Sequence, residues 1–168
     1  ITLVESAGST AATEGGATDS YTLVLNSQPT ATVAIALSVG TQAQVSSGTV
    51  SFTSANWNTP QTVTVNAVDD NVVEGPHTAT ISHGVSSSDP NYSGYVLPAI
   101  TVAITDNDSA VVNFNPASLS QSEGSSPMTF TVTLSNPVQS GVTLTLNSTN
   151  GTAGAADYTP ISGATVSF

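Results

Sequence analysis

The chain contains no lysine, no arginine and no cysteine among its 168 residues. Without Lys or Arg it cannot neutralise phosphates, so nucleic-acid partners, lysine-based catalysis and an electrostatic grip on anionic lipid are excluded. Without Cys it has no disulfide, no thiolate nucleophile and no cysteine-type zinc site. Charged residues make up only 7%, and the formal net charge is -11. Every fixed charge of the chain is therefore a carboxylate.

Long apolar runs and helical periodicity are also missing. No segment approaches the ~18 consecutive apolar residues of a transmembrane helix. Instead, apolar residues alternate with Ser, Thr and Asn, as they do along Tyr21–Leu25 and Ile100–Ile104. Residues two apart in a strand share a face, so each such segment predicts one buried stripe. Five similar segments bring the number of predicted strands to about seven. We therefore predict an all-β fold over residues 1–107, an immunoglobulin-like antiparallel β-sandwich.

An internal repeat divides the chain. Three segments recur: Thr13–Gly15 as Ser122–Gly124, Tyr21–Leu25 as Phe130–Leu134, and Thr49–Phe52 as Thr165–Phe168. We therefore predict tandem domains, a complete sandwich at 1–108 and the N-terminal half of a second one at 109–168. Because half a sandwich leaves strand edges and an apolar face uncovered, we expect either a longer natural chain or strands supplied from outside.

Acidic residues concentrate in three loops that each follow a strand: Glu14, Asp69–Glu74 and Asp106–Asp108. The preceding strands run in the same direction, so the loops are predicted to meet at one end of the sandwich. Two carboxylates about 4 Å apart repel by ~4 kcal/mol at an effective dielectric near 20, and no Lys or Arg relieves them here. Oxygen ligands in variable number favour Ca²⁺. The alternative is that these acids are solvated turn residues.

The same segments resemble the Calx-beta domain, the repeat of sodium–calcium exchangers, integrin β4 and many large bacterial surface proteins. The resemblance covers all of the first copy and the first half of the second. The matching strings are Thr13–Gly16, Asn56–Asn58 before Gln61–Val65, Asp69–Asp70 with Glu74, Ile104–Asp108 and, in the second copy, Gly154–Tyr158.

This resemblance implies calcium sites at one end of the sandwich. The implied ligands are Glu14, Asp69, Asp70, Glu74, Asp106 and Asp108 in the first copy, and Glu123 and Asp157 in the second. The first copy departs from the family pattern at the mid-domain Asp, where Gly40–Gln44 offers only amides. We therefore expect one or two ions there, and no complete site from the second copy alone. An ion at the junction would stiffen the joint between the repeats.

No nucleophile motif is present, so the chain is predicted not to be an enzyme. His77 and His83 lie six residues apart on one strand, about 20 Å, which is too far to share one zinc ion. We predict a non-catalytic Ca²⁺-binding structural repeat of a large extracellular surface or adhesion protein, without membrane insertion. The neighbouring repeats or identical subunits are its expected partners.

Two alternative functions stay open at this point. In the first, the chain is an extracellular filament subunit whose incomplete second domain receives strands from a neighbouring chain. In the second, it is a glycan-binding module that uses Tyr92 and Tyr95, in the loop Asp89–Tyr95, to stack on sugar rings of a surface ligand. Otherwise these tyrosines fasten that loop to its own sandwich.

Overall fold

The computed structural model describes residues 1–122, 124–125, 127–154 and 156–168, and its regular elements are strands and one 3-10 turn. The chain divides into two compact units. The first unit consists of Ile1–Asp70 and Gly75–Asn107, and the second of Asn71–Glu74 and Asp108–Phe168. Within the described part of the chain, no helix is long and apolar enough to cross a membrane.

The first unit is a sandwich of two sheets. Its strands are β1 (Thr2–Glu5), β2 (Thr10–Thr13), β3 (Asp19–Val24), β4 (Val33–Val39), β5 (Ala43–Val45), β6 (Thr49–Phe52), β7 (Gln61–Ala67), β8 (His77–Ser87) and β9 (Ile100–Thr105). One sheet has the order β1-β3-β7-β5 and the other β2-β9-β8-β4-β6. The predicted all-β sandwich is confirmed, although β2 and β9 pair in parallel whereas the other pairs are antiparallel.

This unit has nine strands where the alternation pattern predicts about seven, for two reasons. The 3-10 turn Ser6–Gly8 interrupts the first strand, so that β1 joins one sheet and β2 the other. The small side chains of Thr10 and Ala12 give β2 no strong apolar signal, yet they are only 1% and 3% exposed. The second strand that the pattern does not predict is β5, which has three residues and lies at the edge of its sheet.

The apolar stripes of the first unit form its core. The side chains of Leu23, Val33, Ile35, Phe52, Val63, Val65, Ile81 and Val102 are fully buried. Each side chain of this size stabilises the fold by about 1.5–3 kcal/mol. Tyr21 lies in the same core, and its burial raises the pKa of its hydroxyl to about 12. The sandwich is therefore a rigid support for the loops at its ends.

The described residues of the second unit form two strand pairs. Strand β10 (Val112–Asn115) pairs with β11 (Thr131–Leu134), and β12 (Thr143–Leu146) pairs with β13 (Ala164–Ser167), both antiparallel. These pairings repeat the β1–β3 and β4–β6 pairs of the first unit, as the internal repeat predicts. Val73 also belongs to the second unit, where it forms a parallel bridge with Val138.

Candidate metal site

Two parallel strands bring two acidic residues to one end of the first unit. Thr13 of β2 lies opposite Thr105 of β9, so Glu14 and Asp106 leave the sheet in the same direction. The backbone N–H of Glu14 donates a hydrogen bond to the Thr105 carbonyl over 3.1 Å. Glu14 is only 2% exposed, and one of its carboxylate oxygens lies within 4.8 Å of one of Asp106. At that separation two carboxylates repel by at least roughly 3 kcal/mol, which a cation would relieve.

An asparagine links the third acidic loop to this pair. The side-chain amide of Asn107 donates to the Glu14 carbonyl over 2.8 Å and to Oδ1 of Asp69 over 3.1 Å. On the other side, Oδ2 of Asp106 accepts a hydrogen bond from the Gly75 backbone N–H at 2.7 Å. The structure therefore brings Glu14, Asp69 and Asp106 to one end of the sandwich. Asn107 was not singled out from the sequence, where it reads only as the centre of an Asp-Asn-Asp turn.

Gly15 allows the loops to approach this closely. Its φ of +58° lies in the left-handed region, and a Cβ there would stand 3.0 Å from Oδ1 of Asp69 and 3.0 Å from Nδ2 of Asn107. The space that a side chain would fill is thus lined by carboxylate and amide groups. The carboxylates of Glu14, Asp69 and Asp106 supply charged oxygen donors at this end of the sandwich, and such donors fit a hard divalent cation such as Ca²⁺.

We expect Gly15→Ala to destabilise the fold by about 1–3 kcal/mol, because the new Cβ is strained at this φ and crowds Asp69 and Asn107. The stabilisation gained from calcium should fall as well. Thermal unfolding in chelator and in calcium measures both effects. Gly8→Ala is the matched control, since Gly8 also has a positive φ, +84°, but a Cβ there meets nothing within 4 Å. An equal calcium response in the two variants would contradict this role of Gly15.

The other predicted ligands of the first copy are distributed between the two units. Asp70 is exposed and belongs to the first unit. Glu74 and Asp108 are half-buried and belong to the second unit, where Gln139 donates a hydrogen bond from Nε2 to Oε1 of Glu74 over 3.1 Å. Their role as calcium ligands stays a prediction.

The predicted ligands of the second copy lie in its loops. Asp157 is exposed, and its Oδ2 accepts a hydrogen bond from the Gly154 backbone N–H over 2.7 Å. This bond closes a local turn of four residues. Glu123 lies outside the described residues. The sequence prediction for both residues therefore stays as it was.

Two further polar side chains lie at this end of the first unit, His77 beside Glu14 and Gln42 beside His77. Nε2 of His77 is 3.8 Å from Oε1 of Glu14, and Nε2 of Gln42 is 3.4 Å from the same imidazole nitrogen. The signal for His77 is its register, because it begins β8 opposite Ile104, two residues before Asp106. The signal for Gln42 is its position where the family resemblance has an Asp.

The second histidine, His83, is remote from this end of the sheet. Its Nδ1 donates to the Pro98 carbonyl over 2.8 Å, and its Nε2 lies 3.1 Å from the Tyr21 hydroxyl. The two rings meet edge to face, with centroids 5.6 Å apart. Burial lowers the pKa of His83, against the opposing effect of its bond to Pro98. It is therefore a packing residue of the sandwich.

The tyrosine loop is fastened to the sandwich at its first half. Asp89, 1% exposed, accepts hydrogen bonds from the backbone N–H groups of Thr30 and Asn91 at 2.7 and 2.9 Å, and these bonds lower its pKa. Tyr92 is 4% exposed and donates its hydroxyl to the Ser27 carbonyl over 2.6 Å. Its ring face is thus not available to a sugar, which removes the main residue of the glycan-binding alternative.

Comparisons with known proteins identify the family of these two repeats. The Calx-beta domain model matches residues 44–106 and again residues 105–168. No curated protein sequence matches the chain.

Three solved structures are similar to the chain at low identity. The CBD12 structure from CALX1.2 has 19% identity and a TM-score of 0.47, over 64% of this chain and 45% of that one. SSP-19 of Caenorhabditis elegans, an MSP-domain-like protein, has 6% identity and a TM-score of 0.38, over 58% and 92%. The CsuC–CsuE chaperone–tip adhesion subunit complex of Acinetobacter baumannii Csu pili has 11% identity and a TM-score of 0.45, over 100% of this chain and 87% of that one. The chain thus spans less than half of the CBD12 structure.

Proposed function

The chain belongs to the Calx-beta domain family, and from this premise we propose that it is a non-catalytic calcium-binding structural repeat of a large extracellular surface protein. The observation that supports this most directly is the buried Glu14 carboxylate, within 4.8 Å of Asp106 in a chain without Lys or Arg. Calx-beta domains are binding and regulatory domains, which agrees with the prediction that the chain is not an enzyme.

In this proposal Glu14, Asp69 and Asp106 hold the ion. Calcium would supply positive charge beside these carboxylates in a chain that contains no Lys or Arg. The Asn107 amide fixes Asp69 and the Glu14 backbone, and the Gly75 N–H fixes Asp106, so the oxygens are positioned before the ion binds. The mechanical consequence is that three loops become one rigid end of the sandwich, suited to spacing and stiffening a row of repeats.

We place this repeat outside the cell for two reasons. Trypsin-like proteases have no cleavage site in a chain that contains no Lys or Arg. Extracellular calcium modules bind at ~10⁻⁴–10⁻³ M, so that millimolar calcium fills such sites whereas the calcium-poor cytosol does not. Folding would then be favoured after export.

Thermal unfolding in calcium and in chelator tests the proposal. We expect a higher midpoint in calcium, and we expect Asp106→Asn to remove most of that rise. A midpoint that does not depend on calcium would mean that the acids are solvated turn residues.

A second candidate function is assembly by strand addition, which the open strands of the second unit favour. Strands β3 and β4 each have two neighbours in the first unit. Among the described residues of the second unit, their repeat counterparts β11 and β12 each have one, in a two-stranded sheet. Around these sheets Phe114, Met128 and Phe168 are 46%, 54% and 40% exposed. A strand from an identical subunit or a neighbouring repeat would satisfy the edges and cover these side chains.

Sedimentation velocity over a range of concentrations tests this assembly. We expect species larger than the 16.8 kDa monomer to grow with concentration. Met128→Ser, on the exposed apolar surface, should weaken their formation, whereas the exposed Val96→Ser in the first unit should not. A monomer at every concentration would overturn assembly between identical subunits.

A further inference from the structure

His77 stands out among the polar groups of the first unit because of how its ring is held. Its Nδ1 lies 2.9 Å from the Gly75 carbonyl. A carbonyl oxygen only accepts hydrogen bonds, so Nδ1 carries a proton and donates it. In the neutral ring Nε2 then presents a lone pair. This is the arrangement of most metal-binding histidines, in which a backbone carbonyl fixes the tautomer through the other ring nitrogen.

Two polar groups lie near Nε2 of His77, the carboxylate of Glu14 and the amide of Gln42. Oε1 of Glu14 lies 3.8 Å away, and the Glu14 side chain is almost fully buried. Two ligands of one tetrahedral zinc ion lie about 3.3–3.5 Å apart, given bonds of about 2.0–2.1 Å. The observed separation therefore needs to close by only a few tenths of an ångström. It is also longer than a good hydrogen bond between the two groups.

Gln42 supplies a third donor. Its Nε2 is 3.4 Å from Nε2 of His77. This length corresponds to a weak hydrogen bond. Because the amide oxygen and nitrogen of Gln are interchangeable by a half turn, the same side chain can present Oε1 to a cation in front of His77. The Calx-beta resemblance expects an Asp in this part of the domain. A neutral amide beside an imidazole lowers the negative charge of the donor set and adds a nitrogen.

We propose that Glu14, His77 and Gln42 form a second metal site, which takes a borderline divalent cation of the first transition row, such as Zn²⁺. Imidazole nitrogen favours such ions, whereas Ca²⁺ takes oxygen ligands. Water completes the coordination, as in zinc sites with three protein ligands. Because Glu14 serves both sites, zinc and calcium compete for it. The site therefore offers the repeat a response to a second metal.

The two histidines of the chain make the test direct. Zn²⁺ is titrated into the calcium-free 168-residue chain, and the imidazole ¹⁵N signals are recorded by NMR. We expect the His77 signals to shift, with Nε2 as the coordinating nitrogen, while those of His83 stay in place. Equal shifts of both rings, or none, would overturn the proposal.

Calorimetry on variants gives an independent measurement. His77→Gln should weaken zinc binding at least ~10-fold, the scale seen when even outer-shell metal partners are removed. His83→Gln is the matched control and should bind zinc as the natural chain does. His77→Gln should still be stabilised by calcium, which also shows that it folds and separates this site from the calcium proposal. Unchanged zinc affinity in His77→Gln would exclude the imidazole as a ligand.

Discussion

Replacing chelator by millimolar calcium is expected to raise the midpoint of thermal unfolding by roughly 10 °C or more. An ion present at 100 times its dissociation constant stabilises the folded state by about 2.7 kcal/mol. For a domain of about 100 residues, each kcal/mol shifts the midpoint by about 4–8 °C. The physical reason is the relief of repulsion between the buried Glu14 carboxylate and Asp106, which no Lys or Arg provides in this chain.

Two variants assign that shift to the site. Asp106→Asn keeps the size of the side chain and removes its charge, so most of the calcium response should disappear. Asp19→Asn is the control. The Asp19 carboxylate accepts hydrogen bonds from the Ser6 hydroxyl and from the backbone N–H groups of Ala11 and Ser20, and these bonds lower its pKa. It should lose stability equally in calcium and in chelator. A full calcium shift in Asp106→Asn would place the ion elsewhere.

Phe52→Ala is expected to destabilise the first unit by about 3–5 kcal/mol, the usual cost of removing a buried aromatic ring. Phe52 is fully buried on β6, between the two sheets of the sandwich. The loss is a large fraction of the 5–15 kcal/mol that stabilises a typical domain. Urea unfolding measures it as a lower midpoint, with the dependence on denaturant unchanged if unfolding stays two-state.

Phe168, the counterpart of Phe52 in the second copy of the repeat, provides the control for this substitution. Phe168 follows β13 as Phe52 ends β6, but it is 40% exposed. Phe168→Ala should therefore cost about 1 kcal/mol or less at low protein concentration. A loss as large as that of Phe52→Ala would contradict the exposed position of Phe168. A cost that grows with protein concentration would favour strand addition, because the ring would then be buried by a partner.

The strands of the first unit could be predicted well because alternation is a local property. The stripes at Tyr21–Leu25 and Ile100–Ile104 became β3 and β9, since every second side chain is large and apolar. Strand β2 was not predicted, because its inward residues, Thr10 and Ala12, are too small to give an alternating apolar signal. Its parallel pairing with β9 depends on the 3-10 turn at Ser6–Gly8, which moves the chain from one sheet to the other. Such a crossing has no periodic signature.

The candidate site divides in the same way. The acidic strings and the absence of Lys and Arg left two interpretations open, a bound cation and solvated turn residues, and the Calx-beta resemblance favoured the cation. His77 could not be assigned from the sequence, since the only test available was its distance along the strand from His83. The pairing of β8 with β9 brings the His77 imidazole to the end of the sheet where Glu14 lies. Gln42 then lies next to the same imidazole.

The sequence by itself thus determined the all-β fold class and the internal repeat, because these follow from local alternation and recurring segments. Its motif strings added the resemblance to the Calx-beta domain, and its acidic loops the prediction of a cation site. The tertiary structure decided which carboxylates meet, how deeply Glu14 is buried and that Tyr92 packs inward. Those properties depend on contacts between residues that lie far apart in the chain, such as Glu14 with Asn107 and Ser27 with Tyr92. Only folding brings such pairs within hydrogen-bonding distance.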